Sequence, residues 1–219
     1  PDWLSFFMFT YFTDRDGKMQ LESLAQSGFD PLSRTCRFML TEEAHHMFVG
    51  ETGVGRTIQA TVDAMTAAGI TDPYDMNRIR DLGVIDLPTI QKKLNLHYSL
   101  SLDLFGNEVS TNAANAFNAG IKGRYMEHRL DDDHQLQRDT YDVKMVRDDQ
   151  IITEQMPALN AINMRLRDDY VKDASGGLNR WNKIMKRKNV DFEFRLPHEG
   201  FNRNIGVFAN VSVDPQGNI

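Results

Sequence analysis

The apolar positions of this chain fall into two regimes: a helical spacing of three and four residues up to about residue 120, and a mixture of alternating, helical and irregular spacing beyond it. Residues 2–14 are mostly apolar or aromatic, which predicts a helix buried on all sides. It is expected to close at Gly17, a residue type that commonly ends helices. Residues 18–29 read as a shorter helix and a turn. Asp30 and Pro31 have the types of an N-cap and a first helical residue, so a long helix opens there and runs through Glu43 and His46 to about Thr52. Gly53 and Gly55 interrupt it, and the pattern resumes from Arg56 to Ala68 and ends at Gly69. Asp72 and Pro73 open a short helix, and Asp86, Leu87 and Pro88 lead into one reaching about Phe105. Ser110 caps a run of small residues from Thr111 to Gly120.

Farther on, Tyr141–Val146 and Ile151–Glu154 flank the charged turn Arg147-Asp148-Asp149, the signature of a β-hairpin. Pro157 to about Arg187 predicts a long helix weakened by Gly176 and Gly177, and Phe192–Phe194 and Val207–Val213 predict strands. The expected fold class is mainly α: a helical bundle over residues 1–120 and a small mixed α/β C-terminal region over residues 121–219.

The candidate chemistry lies in Thr41-Glu42-Glu43-Ala44-His45-His46, inside an apolar-periodic stretch. Residues three apart share a helix face, which pairs Glu42 with His45 and Glu43 with His46. A Glu-x-x-His pair on each of two helices, with one further carboxylate from each of two others, builds the di-iron centre of a four-helix bundle. Asp14, at the end of the aromatic helix, is a candidate for that further carboxylate, because a metal would offset the cost of burying its charge. Equally, the helix has simply ended and Asp14 is solvated beside Asp16. The pattern leaves two faces open for the long helix, one through Met39, Glu43, His46 and Gly50, the other through Phe38, Glu42, His45 and Val49.

Composition narrows the function. With 31 acidic and 25 basic residues the net charge is -6, without the basic stripe of a nucleic-acid binder. The single Cys36 forms no internal disulfide and reads as a buried small hydrophobe, pointing to a cytoplasmic chain without an iron–sulfur cluster. No apolar run has the length of a membrane span, so no membrane partner is expected. The chain opens on Pro1 without Met and in an aromatic segment, which reads as the interior of a longer protein. Gly50–Thr57 has the glycine spacing of a phosphate loop but Arg56 where lysine belongs. Asp14–Gly17 fails as a calcium loop because the first and last ligand positions fall on Phe12 and Ser23. Asp131 and His134 sit in a charged, solvated run, and His97 reads as a packed core residue.

The stretches Pro1–Lys18 and Phe29–Met47, with Arg195–His198 and Asn202–Gly206, closely resemble the oxygenase subunit of the benzoyl-CoA 2,3-epoxidase family. The resemblance implies a ferritin-like bundle, here partial, and a di-iron monooxygenase of aromatic compound catabolism that uses O2 to convert benzoyl-CoA to its 2,3-epoxide. It implies two Fe ions, and electrons from NADPH through a separate flavin and iron–sulfur reductase. A second copy of the chain, in a homodimer, is a further partner to expect. The family's other iron half is a Glu-Glu-Gly-Arg-His segment, in which only the second Glu has a His three residues on. By pseudo-symmetry the resemblance selects Glu43 and His46, with Asp14 as third ligand and Glu43 as the carboxylate that moves during catalysis. Glu42 and His45 become neighbours. No Glu-Glu-Gly-Arg-His occurs here, so this chain supplies about half the ligands. Phe6, Phe7, Phe9, Tyr11, Phe12, Phe38 and Met39 are candidates for an apolar lining, and Lys122, Arg124 and Arg129 for contacts to the CoA phosphates. The alternatives are another ferritin-like acyl-CoA epoxidase, or a non-catalytic helical binding or scaffold protein with surface Glu/His pairs.

Overall fold

The computed structural model describes residues 2–105, 140–197 and 216–218. Its elements are α1 (Trp3–Leu24), α2 (Asp30–Ala67), α3 (Met76–Asp81), α4 (Leu87–Asp103), β1 (Thr140–Arg147), β2 (Gln150–Pro157) and α5 (Ala158–Arg187). The chain is mainly helical, a bundle in which α1 touches α2, α4 and α5. Among the described residues no helix is long and apolar enough to cross a membrane.

Helix α1 starts where the Asp2 carboxylate accepts the Ser5 N–H at 2.8 Å. It does not stop at Gly17 but continues to Leu24. Two interactions carry it through the charged stretch. The Arg15 guanidinium lies 4.0 Å from the centre of the Tyr11 ring and pairs with Asp173 of α5 at 3.0 Å. Beyond Gly17, Met19 and Leu21 are buried again. Nor is α1 buried all round: Leu4, Met8, Tyr11 and Phe12 face the core, whereas Trp3, Phe6 and Phe9 are exposed.

A short connection turns the chain back into α2, and the short loop makes the two helices antiparallel neighbours. The Ser33 hydroxyl of α2 donates to the Ala25 carbonyl at 2.6 Å, tying the end of one helix to the start of the next. Asp30 is the first helical residue, with Phe29 before it, and pairs with Arg34. The expected break at Gly53 and Gly55 is absent, and α2 runs unbroken for 38 residues. Glycine is wanted there for proximity. A Cβ on Gly50 would lie 2.5 Å from the Tyr11 amide nitrogen and 2.8 Å from the Phe7 carbonyl oxygen, and one on Gly53 would enter the Phe7 ring.

The short helix begins at Met76, capped by Asp75, later than Asp72 and Pro73 suggested. Asp86 caps α4 by accepting the Thr89 N–H at 2.9 Å, and Arg80 pairs with the same carboxylate at 2.6 Å. The expected hairpin forms, but its turn is shorter than the three residues expected: Arg147 pairs with Gln150 at the end of β1, leaving Asp148 and Asp149, both at positive φ. Helix α5 passes straight through Gly176 and Gly177. Its Gly177 N–H donates to the Tyr11 hydroxyl at 3.0 Å, which itself donates to the Ala174 carbonyl at 2.7 Å. Phe192–Phe194 is not a strand. The Phe194 N–H and carbonyl are both taken by the Asn182 side chain, at 2.8 and 2.9 Å, which leaves no ladder to form. The segment Val207–Val213, the small-residue run Thr111–Gly120 and the boundary near residue 120 lie outside the described residues.

Candidate metal centre

Six positions on α2, Cys36, Leu40, Glu43, Met47, Gly50 and Val54, recur at alternating spacings of four and three, and all six are buried or half-buried. Such spacing makes a straight seam along a helix. Cys36 and Leu40 pack with Leu21 and Leu24 of α1. Gly50 lies against Phe7, Thr10 and Tyr11 of α1, and the Glu43 carboxyl lies beside Gly17. Glu43 therefore occupies a position in the helix contact itself.

Asp14 reaches the same point from α1. His46 Nδ1 is 3.6 Å from Asp14 Oδ2 and 3.8 Å from Glu43 Oε2. One possible ligand atom from each of the three residues lies within 4.8 Å of the others. Donors around one cation each sit about 2.0–2.2 Å from it, so modest side-chain rotation converts this spacing into a coordination shell. The Asp14 and Glu43 side chains are only 18% and 15% exposed, whereas His46 is 47% exposed. Glu43 Oε2 is buried and accepts no hydrogen bond. A buried carboxylate oxygen without a partner is costly, and a cation is one group that satisfies it.

The electrostatics follow. Burial pushes the Asp14 carboxyl above its ordinary value, with His46 opposing. Burial raises Glu43 as well, the nearby Asp14 adds to the rise, and His46 opposes it. Both groups bind protons more tightly in the folded than in the unfolded chain. At low pH both states are protonated. As pH rises from the ordinary carboxylate range through the raised folded values, the metal-free fold loses stability. Metal-free Glu43→Gln is therefore expected to gain stability relative to the parent protein as pH rises above the ordinary carboxylate range, measured by urea unfolding in chelator. A pH-independent difference between the two would contradict this electrostatic account.

The remaining candidates are placed differently. Glu42 and His45 are exposed on the neighbouring strip and do not join the cluster, although the His45 ring centre is 6.4 Å from that of His46. Asp16 is buried instead of solvated beside Asp14. Tyr11 and Phe12 belong to the core, Phe7 is half-buried against Gly53, and Phe6, Phe9, Phe38 and Met39 are exposed. Cys36 is buried, and His97 is partly buried, with burial lowering its pKa. Lys122, Arg124, Arg129, Asp131 and His134 lie outside the described residues. Sequence reasoning missed Gly17 as a neighbour of Glu43. The signal that could have found it was the four-three seam, in which Glu43 falls on the packed line and Glu42 does not.

No family model matches the chain. The likeness carried by its two long motifs nonetheless holds along the whole sequence: its 219 residues are 56% identical to benzoyl-CoA oxygenase component B of Aromatoleum evansii, and they span 46% of that protein's length.

Proposed function

We propose that this chain is part of the oxygenase component of a benzoyl-CoA oxygenase, a ferritin-like di-iron enzyme that converts benzoyl-CoA to 2,3-epoxybenzoyl-CoA. The observation that carries the proposal is the convergence of Asp14, Glu43 and His46 in a chain so similar to a protein of that name. Two carboxylates and an imidazole form a donor set suited to ferrous iron, and the unsatisfied Glu43 Oε2 fits the same use. Three residues make one half of a di-iron site. The other half, with its own Glu-x-x-His helix, belongs to sequence outside this chain.

When bound, the iron pair supplies O2 activation, driven by NADPH electrons from a separate flavin and iron–sulfur reductase. The chain's own residues do the rest. Asp14 and Glu43 supply negative charge in a sheltered place. Nδ1 is the His46 atom facing both carboxylates, so the imidazole would hold a metal through Nδ1. The Arg15–Asp173 pair fixes α1 one residue beyond Asp14. Phe7, pressed on Gly53, fills part of the α1–α2 contact. Phe6, Phe9, Phe38 and Phe48, exposed on α1 and α2, suit a surface on which further helices pack. Lys122, Arg124 and Arg129 are the cations assigned to the CoA phosphates.

The test uses the full-length protein with Fe(II), reductase, NADPH, labelled O2 and benzoyl-CoA. The expected result is an iron pair per chain and a thioester product heavier by one labelled oxygen. Absence of iron, or of label in the product, would overturn the proposal.

A further inference from the structure

Glycine in a helix interior costs stability relative to alanine, so each such glycine asks for a reason. Gly50, Gly53 and Gly177 have one, since a Cβ on any of them would collide with Phe7 or Tyr11. Gly17 does not. Its φ is not positive, and the atoms nearest to a Cβ built there are Glu43 Oε1 at 3.6 Å, Cδ at 3.7 Å and Oε2 at 3.8 Å. These are ordinary contact distances, so packing alone would accept alanine. What a methyl group would change is the surroundings of one carboxylate. That carboxylate is enclosed, lies beside Asp14 and His46, and has an oxygen without a hydrogen bond.

We propose that Gly17 is a positioning residue for Glu43: its missing side chain leaves the carboxylate room to turn onto a cation held with Asp14 and His46. The inference rests on the reading of those three residues as iron ligands. The donor atoms lie within 4.8 Å of one another, and a cation shared at about 2.0–2.2 Å from each would set the orientation of the Glu43 carboxylate, which needs room to turn. A methyl in contact with all three carboxyl atoms would hold it in the metal-free orientation.

Gly55 provides a matched control. It too lies inside a helix, and a Cβ there would meet Trp181 ring atoms at 3.6 and 3.7 Å, with no carboxylate involved. Gly17→Ala and Gly55→Ala should therefore gain similar helix stability and both raise Tm. Made in the full-length protein and titrated anaerobically with Fe(II), and with Mn(II) followed by electron paramagnetic resonance, only Gly17→Ala should bind metal about tenfold more weakly, the scale of losing a group that orients a ligand. The penalty should disappear in a Glu43→Asp background, where the shorter side chain withdraws from the methyl. Parent-like affinity in Gly17→Ala would overturn the inference while leaving the iron reading intact. So would weakened binding with a Tm no higher than the parent, which assigns the loss to the helix. A parent protein that binds neither metal overturns both.

Discussion

Glu43→Ala is expected to lose iron while its metal-free fold becomes no less stable. The carboxylate lies on the packed seam of α2, beside Gly17 and within ion-pair distance of His46, and one of its oxygens is buried without a hydrogen bond. Removing it deletes a ligand and at the same time removes a buried oxygen that has no hydrogen bond, so affinity and stability move apart. The fall in Fe(II) affinity should exceed the 10–100-fold typical of groups that only orient a ligand. Asp14→Ala and His46→Ala should share the loss, because each supplies one corner of the same triangle. Glu42→Ala and His45→Ala, on the exposed strip, should keep parent-like iron. Iron per chain, measured across all five variants of the full-length protein beside chelator-treated unfolding curves, decides between the two faces of α2. Iron lost from the Glu42 and His45 variants and kept in the other three would reverse the assignment.

The difference between those two faces marks how far the sequence could be read. The helices, their order and the hairpin turning at Asp148 and Asp149 were legible, because spacing and turn residues act locally. The errors share one cause. Asp14–Gly17 looked like a helix end, and Gly53 and Gly55 like a break, because local propensity disfavours glycine and clustered charge inside a helix. In both places distant contacts override it. Arg15 finds Asp173, 158 residues away in sequence, and Gly53 receives the Phe7 ring. Phe192–Phe194 has strand-like composition, yet one asparagine side chain takes up both backbone hydrogen-bonding groups of Phe194. The same blindness left the Glu42 and Glu43 registers equal. Gly50 does not register as apolar, so the packed line from Cys36 to Val54 was cut where α2 lies tight against the α1 backbone.

Gly50→Ala should therefore be more damaging than the other small substitutions along α2, to stability and to metal together. Its Cβ would meet the Tyr11 amide nitrogen at 2.5 Å and the Phe7 carbonyl oxygen at 2.8 Å, both backbone atoms of α1. Backbone in a regular helix cannot turn aside, so the two helices must separate. At Gly53 the obstacle is the Phe7 ring, a side chain that can rotate away, so Gly53→Ala should cost less. Overpacking of this kind typically costs about 1–3 kcal/mol, and Gly50→Ala belongs at the upper end. Separation has a second consequence. Gly50 and Glu43 are two turns apart on α2, while Tyr11 and Asp14 are one turn apart on α1. Pushing the helices apart at Gly50 therefore draws Asp14 away from Glu43 and His46. Urea unfolding should show the stability loss, and Fe(II) affinity should fall although no ligand has been touched. Gly55→Ala, on the same helix but facing Trp181 at ordinary distance, should do neither. If Gly50→Ala unfolds and binds iron like Gly55→Ala, the close approach of α1 and α2 is not what holds the three side chains together.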